Sequence, residues 1–513
     1  MTASLRSQAA SGVMWSAVQT WGARLTTALA FIVISRQLLP SEFGLVALCM
    51  SVLAVLTLIG DVGMATYLIR KPTVDRSDTS TAFWTSLALA TGLASLLAVS
   101  APWVSAAFDE PGMTPLLWAL CAGLVVAGSA SVPTALLKRD LKFKLLAYRG
   151  TTATLVGSAV AITLALLGAG AWALVVQSLV RGVIAAVLSY TAARWRPSFT
   201  YSRPAAKKML SFGSTLLGID LLNQVRDRGE DFALGGIAGT VTLGYWSVAS
   251  RLVQIVRETG TSVVLAVATP TFARLQHDRS RLVRALDTSL YTSAAVMFPA
   301  MTFLAVTSPD LVPLVLGQQW AVTGQAAQVV ALTTALATMS WFDRTVFIAL
   351  DRLRPEIIMV ASFAALHIAL VVVFAHQSLL VLALALLVKG CVLFPLRATV
   401  LHRVAGIPYS VYRKTGRVAL AALAFLACGE IAMAALDGSS PALRVAVGAA
   451  LLVLVYPPGL WLVARPVFRS ILGDLASLRG KKKPVEPSVL EPVEMPSPTG
   501  AAPRESVRAD NPV

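Results

Sequence analysis

Charged side chains are scarce in this chain. They make up 13% of its 513 residues, while 56% are hydrophobic; a soluble domain carries about 25% charged residues. The shortage excludes an ordinary soluble protein. Apolar runs of roughly 20 residues, enough to cross a bilayer, follow one another along almost the whole length. They leave no stretch long enough for a soluble catalytic domain. Cysteine is also sparse. The four (Cys49, Cys121, Cys391, Cys428) all lie inside apolar runs, in no metal spacing and no disulfide framework, and fit small core residues. The four histidines (His277, His367, His376, His402) are scattered, with no HExxH or other metal pattern. No GxxxxGK[ST] is present, which excludes an ATP motor in this chain. Long external loops with catalytic carboxylates are missing too, so neither an enzyme nor a cofactor is expected. The opening "MTASLRSQAASGVMWS" has no short apolar core with a cleavage site, and no removable signal peptide is expected.

What is present is an all-α polytopic membrane protein. Fourteen spans are expected: 12–35, 42–66, 82–107, 114–137, 150–170, 171–193, 210–236, 241–267, 288–308, 326–350, 357–375, 378–396, 418–436 and 443–464. The net charge of +17 tests that count. With the N-terminus in the cytoplasm, the segments on that side hold 33 of the 43 Lys and Arg, and the external segments hold only Arg36. Asymmetry of this kind is the positive-inside signal, and it predicts both termini in the cytoplasm. The basic excess therefore marks orientation and contact with anionic headgroups, not nucleic acid. The Pro-, Glu- and Ser-rich stretch 471–513 is expected to be a disordered cytoplasmic tail.

A shift of 200 residues lays "LLPSEFGLVALCMSVLAVL" on "AGTVTLGYWSVASRLVQIV". Gly44 falls on Gly244, Phe43 on Leu243, Leu53 on Val253 and Ser11 on Ser211. Both stretches sit at the junction between the first and second helix of a six-helix set. We therefore expect two pseudo-symmetric six-helix lobes, 1–209 and 210–408, an additional helix pair at 409–470, and the tail. Parallel repeats with a substrate path between them are common in secondary transporters.

Nine basic residues remain inside spans, together with eight acids. A charge at mid-membrane costs about 2.5–3.5 kcal/mol even on the lenient insertion scale, so such residues line water, pair with one another, or both. In "NQVRDRGED", the positions Asp220, Asn223, Gln224, Asp227 and Asp231 follow helical spacing and predict a polar stripe. Arg226 and Glu230, at i and i+4, can pair. Gly229 is expected to weaken the helix. Arg24 lies opposite Gln224 in the repeat. The candidate residues for binding an anionic substrate are Arg24, Arg226, Arg228, Arg251, Arg257, Arg344 and Lys389, because guanidinium groups take phosphate oxygens in bidentate fashion. The candidates for ion coupling are Asp220, Asp227, Asp231 and Glu258. The 226–231 cluster also fits plain ion pairing that pins the two lobes together. Asp61 is placed at the interface, and Glu430 and Arg444 in structural roles.

Several segments in order ("LLPSEFGLVAL", "IGDVGMATYLIRK", "DTSTAFWTSL", "LLKRDLKFKLLAYRG", "AGTVTLGYWSVASRL" and "SPDLVPLVLGQQW") resemble the polysaccharide (Wzx-type) flippases of the multidrug/oligosaccharidyl-lipid/polysaccharide exporter superfamily. The resemblance runs from about residue 5 to 465. It implies a two-lobed bundle around a central cavity in the bacterial cytoplasmic membrane. Such proteins move undecaprenyl-diphosphate-linked oligosaccharides outward by alternating access, driven by a proton or sodium gradient. The implied partners are the lipid-linked oligosaccharide, membrane lipids, and polysaccharide polymerase and other assembly proteins. The amount of charge in "NQVRDRGED" departs from the family pattern. Two alternatives stay open: a drug or metabolite antiporter of the same superfamily, and a non-transporting scaffold for polysaccharide assembly.

Overall fold

The computed structural model describes residues 22, 24–61, 63–274, 278–350 and 352–463. The expected tail at 471–513 and the start of the first span lie outside the described residues. Within them the chain is helical, with no strand. The helices are α1 (24–37), α2 (Pro40–Asp61), α3 (Met64–Arg70), α4 (Arg76–Ala107), α5 (Met113–Arg139), α6 (Phe143–Leu166), α7 (Ala171–Ala193), α8 (Arg203–Ile237), α9 (Gly239–Arg274), α10 (Arg279–Leu316), α11 (Ala321–Ala337), α12 (Asp343–Ala349), α13 (Leu353–Phe374), α14 (Leu379–Ala405), α15 (Val411–Ala435) and α16 (Pro441–Val463). Ten of them are long and apolar enough to cross a membrane. The described parts of the expected spans fall on helical segments, with 326–350 divided between α11 and the short α12. However, α1, described over 24–37, α8 and α9, which carry the most charge, and α11, with 17 residues, are not among the ten.

Local chemistry sets the ends. Ser202 caps α8 by accepting from the Ala205 N–H at 3.4 Å, with Pro204 in the first turn. Asp278 caps α10 through the Arg281 N–H at 3.0 Å, and Ser378 caps α14 through the Val381 N–H at 3.3 Å. Outside the helices, Lys71 donates to Asp78 at 2.6 Å, and this bond holds its ammonium above the usual lysine range. Arg139 donates to the carbonyls of Leu68, Lys71 and Pro72, so it closes the end of α3. Large apolar side chains such as Leu96, Val99, Trp103, Val373 and Leu462 point outward, as a bundle solvated by lipid requires. All four cysteines are free thiols.

The main core joins α2, α5, α9, α11 and α14 around Leu48, Leu117, Leu120, Trp246, Ala327 and Leu382. At its centre α2 crosses α9 without any intervening side chain. A Cβ on Gly44 would lie 1.7 Å from the Thr240 carbonyl oxygen, and one on Gly244 would lie 1.8 Å from the Pro40 carbonyl oxygen. The contact is reciprocal under the 200-residue shift: position 44 meets 240, and 244 meets 40. More polar contacts gather at this end of the bundle. The Trp320 indole donates to the Ser35 carbonyl at 2.7 Å, Arg36 donates to Val315 and Leu314 carbonyls, and Thr240 donates to Glu110 at 2.5 Å.

Three expectations need correction. Gly229 does not break α8, which is continuous. A Cβ there would come within 2.9 Å of Ile368 Cδ1, so the glycine permits close packing of α8 on α13. Arg397 and Glu356 fall outside the expected spans, yet they lie inside α14 and α13, and Glu356 is buried. Asp310, expected in an external loop, is on α10, buried, and paired with Arg444 at 2.9 Å. That pair ties α16 to α10, in keeping with a structural role for Arg444.

Candidate functional site

Helices α8, α11, α13 and α14 enclose a cavity of about 470 Å³ lined by Asp227, Glu230, Ala337, Val360, Phe363, His367, Lys389 and Arg397. Five of these eight residues are ionisable, although the helices around them are mostly apolar. Lys389 Nζ lies 2.6 Å from His367 Nδ1, and His367 Nε2 lies 3.2 Å from a Glu230 carboxylate oxygen. The geometry fits an ammonium donating to Nδ1 while Nε2–H donates to the carboxylate. The second Glu230 oxygen is buried and has no hydrogen-bond partner. One imidazole thus links a base and an acid from three different helices.

Deeper on the same side, Arg397 donates to Asp343 at 3.0 Å and reaches Glu356 at 3.7 Å. Its guanidinium also lies 5.9 Å from the centre of the Phe363 ring. Asp343 is 1% exposed.

The sequence-derived candidates divide among different places. Asp227 and Lys389 meet in the cavity. Asp231 turns the other way, to α2, where it accepts from Ser51 at 2.6 Å and pairs with Arg228 at 3.3 Å. The stripe expected along α8 is therefore split between two neighbours. Glu230, expected to pair with Arg226, is held by His367. The side chains of Arg226 and Asp220 lie outside the described residues. On α9, Arg251 donates to Gln254 at 3.2 Å and Gln254 donates to Glu258 at 2.6 Å. Arg181 of α7 lies within electrostatic reach of Arg251. Arg24 is half-buried on α1, Arg257 is exposed on α9, and Arg344 is exposed on α12.

A second polar cavity of about 350 Å³ lies within the first half, with Asp61, Ser131, Thr134, Lys138 and Arg149 in its wall. Asp61 accepts from Ser131 at 2.8 Å and Arg149 donates to Thr134 at 2.9 Å. Asp61, the last residue of α2, is thus held by α5. Three residues of the sites were missed altogether: His367, Arg397 and Arg149. A lone histidine in an apolar run gives no warning of its partner 22 residues away. The two arginines had been assigned to loops. Among the described residues, no group of His, Cys, Asp and Glu is arranged to hold a metal ion.

Residues 33–324 match the family model described as "Polysaccharide biosynthesis protein". The chain is 27% identical over 329 residues to the succinoglycan biosynthesis transport protein ExoT of Rhizobium meliloti (strain 1021), covering 64% of this chain and 66% of that protein. It is 24% identical over 323 residues to the lipopolysaccharide biosynthesis protein WzxC of Escherichia coli (strain K12), covering 62% of this chain and 65% of that one. It therefore matches slightly under two thirds of the length of both relatives. Among solved structures, the lipid II flippase MurJ in an inward closed conformation superposes with a TM-score of 0.71 at 13% identity, covering 90% of this chain and all of the other. An inward-facing multidrug resistance MATE family transporter gives 0.54 at 17% identity, over 75% of this chain and 95% of its own. The fold is shared with these transporters, and the chain is multi-pass. Its matched half, residues 33–324, places it in the polysaccharide biosynthesis protein family.

Proposed function

We propose that this protein moves a polyprenyl-diphosphate-linked oligosaccharide from the cytoplasmic to the external leaflet of the bacterial cytoplasmic membrane, by ion-coupled alternating access, to supply surface polysaccharide. The observation that carries the reading is the charged cavity between α8, α13 and α14. A bundle with no task for Glu230, His367 and Lys389 would not hold them in the membrane, where each charge is costly. Both termini lie in the cytoplasm on this reading, which puts the Gly44–Gly244 crossing at the external end.

The first and second sets of six helices are the two lobes, a division supported by the reciprocal contact at that crossing. The positive pair Arg181 and Arg251 faces the path between them and takes the diphosphate, together with Arg24 and Arg226. Proton coupling suits the linked trio. A proton arriving at the unpartnered Glu230 oxygen removes one negative charge and loosens its hold on His367 and Lys389, and so on the helices that carry them. Asp227 faces the same water. Asp231 and Arg228 tie α8 to α2 and follow its movement.

Deletion of the gene is expected to leave lipid-linked oligosaccharide on the cytoplasmic side and to abolish surface polysaccharide. Complementation with Arg251→Ala or Lys389→Met restores transport only at a rate roughly ten- to hundredfold lower, the factor carried by a lost charge-assisted contact of about 1.5–3 kcal/mol. The protein still reaches the membrane in these variants. Normal polysaccharide with altered resistance to cationic drugs would instead favour an antiporter. Full activity in both variants would point to a scaffold.

A further inference from the structure

Independently of the transport reading, we propose that the cleft where the start of α4 meets the 194–198 linker binds the phosphoryl headgroup of an anionic membrane lipid. It is a cavity of about 810 Å³ with Arg76, Arg194 and Arg196 in its wall, beside the hydroxyls of Thr79, Ser80, Tyr190, Thr191 and Ser198. Among the described residues none of the three guanidinium groups has a hydrogen-bond or ion-pair partner, and no carboxylate lines the cavity. The nearby acid that could have answered them, Asp78, is taken by Lys71 at 2.6 Å and by the Asp75 N–H at 3.0 Å. Three cations facing one space repel each other, and no described carboxylate answers them there, so the cleft suits an anionic ligand.

The walls are rigid before anything binds. Ser80 and Ser198 hydroxyls lie 2.7 Å apart, and the Ser198 N–H donates to Ser80 at 3.1 Å, which staples the linker to α4. Trp84 donates to the Ser198 carbonyl at 2.9 Å, Trp195 donates to Thr79 at 3.3 Å, and the Trp195 ring stacks on Tyr190. The first turn of the 32-residue α4 is closed by its own capping box between Asp75 and Asp78, so the positive charge of the cleft comes from the three arginines. A planar fork suits phosphate oxygens, and hydroxyls suit the glycerol or ester oxygens beside them.

A lipid is the expected carrier of the phosphate because the same linker continues into Phe199, which is 93% exposed and stacks on Trp84, and Tyr201, which is 53% exposed. Exposed aromatics next to arginines are the pattern of a chain at headgroup level. Arginines near an anionic surface also attract its lipids. A soluble phosphate would need no such aromatic neighbours.

The test uses full-length protein in detergent, with bound lipid read by native mass spectrometry and pyrophosphate binding read by thermal unfolding. Wild type is expected to retain phosphatidylglycerol in preference to phosphatidylcholine. Removing the arginines lowers that affinity by about fivefold each, and by roughly a hundredfold in R76Q/R194Q/R196Q. The R76K/R194K/R196K variant keeps the charge and stays within about fivefold of wild type, which separates a lost anion site from a disturbed linker. Stabilisation of wild type by millimolar inorganic pyrophosphate, with displacement of phosphatidylglycerol, would support the same site with a soluble source of the phosphate. Equal retention of phosphatidylglycerol by wild type and R76Q/R194Q/R196Q, with pyrophosphate silent on both, would overturn the proposal.

Discussion

Gly44→Ala is expected to destabilise the protein by about 3 kcal/mol or more, because overpacking costs roughly 1–3 kcal/mol even where side chains can shift, and here only backbone is in the way. The added methyl would meet the Thr240 carbonyl at 1.7 Å and the Gly244 nitrogen at 2.9 Å. Relief requires α2 and α9 to move apart, which opens the joint between Leu48, Trp246 and their neighbours. Gly244→Ala meets the Pro40 carbonyl in the same way. Since one separation of the helices relieves both clashes, the double variant costs less than the sum of the two singles, as residues sharing an interface are not additive. Gly92→Ala is the control: nothing lies within 4 Å of its added methyl, and alanine there adds about 0.5–1 kcal/mol of helix stability. Thermal unfolding in detergent gives all four values. Equal behaviour of Gly44→Ala and Gly92→Ala would show that the helices do not cross as closely as described.

This crossing also shows what the sequence made legible. Gly44 and Gly244 coincide in the sequence under a shift of 200 residues. Glycine suits both positions because the backbones touch there, reciprocally under the 200-residue shift. The spans were legible for a similar reason, since the bilayer fixes their length. Hydropathy failed where ionisable residues are compensated inside the fold. Arg397 looked like the start of a loop because an isolated arginine is too costly for lipid; its partners, Asp343 and Glu356, come from helices separated from it by more than 40 residues in the chain. The same blindness put Arg149 and Asp310 in loops, where the structure has helices α6 and α10. Along α8, periodicity placed Asp227 and Asp231 on one stripe but could not say that the helix is wedged between α2 and α13. A turn of roughly 40° between positions i and i+4 is enough to hand the two acids to different neighbours.

Arg397→Met should cost about 3–5 kcal/mol, the usual loss when one partner of a buried ion pair is removed. Asp343 and Glu356 would then be left facing each other without the guanidinium that pairs with both. Asp343 is 1% exposed, and one oxygen of each carboxylate already lacks a hydrogen-bond partner, so neither has a local substitute for the guanidinium. Replacing both carboxylates as well, in R397M/D343N/E356Q, removes the orphaned charges and is expected to recover most of the thermal stability. Transport should behave differently. Arg397 also lines the cavity that holds Glu230, His367 and Lys389, and its field acts on that trio whatever happens to Asp343. The triple variant would therefore fold like wild type and still move polysaccharide precursor poorly. Recovery of both stability and transport would reduce Arg397 to a strut. Recovery of neither would mean that the three residues do not form a closed network.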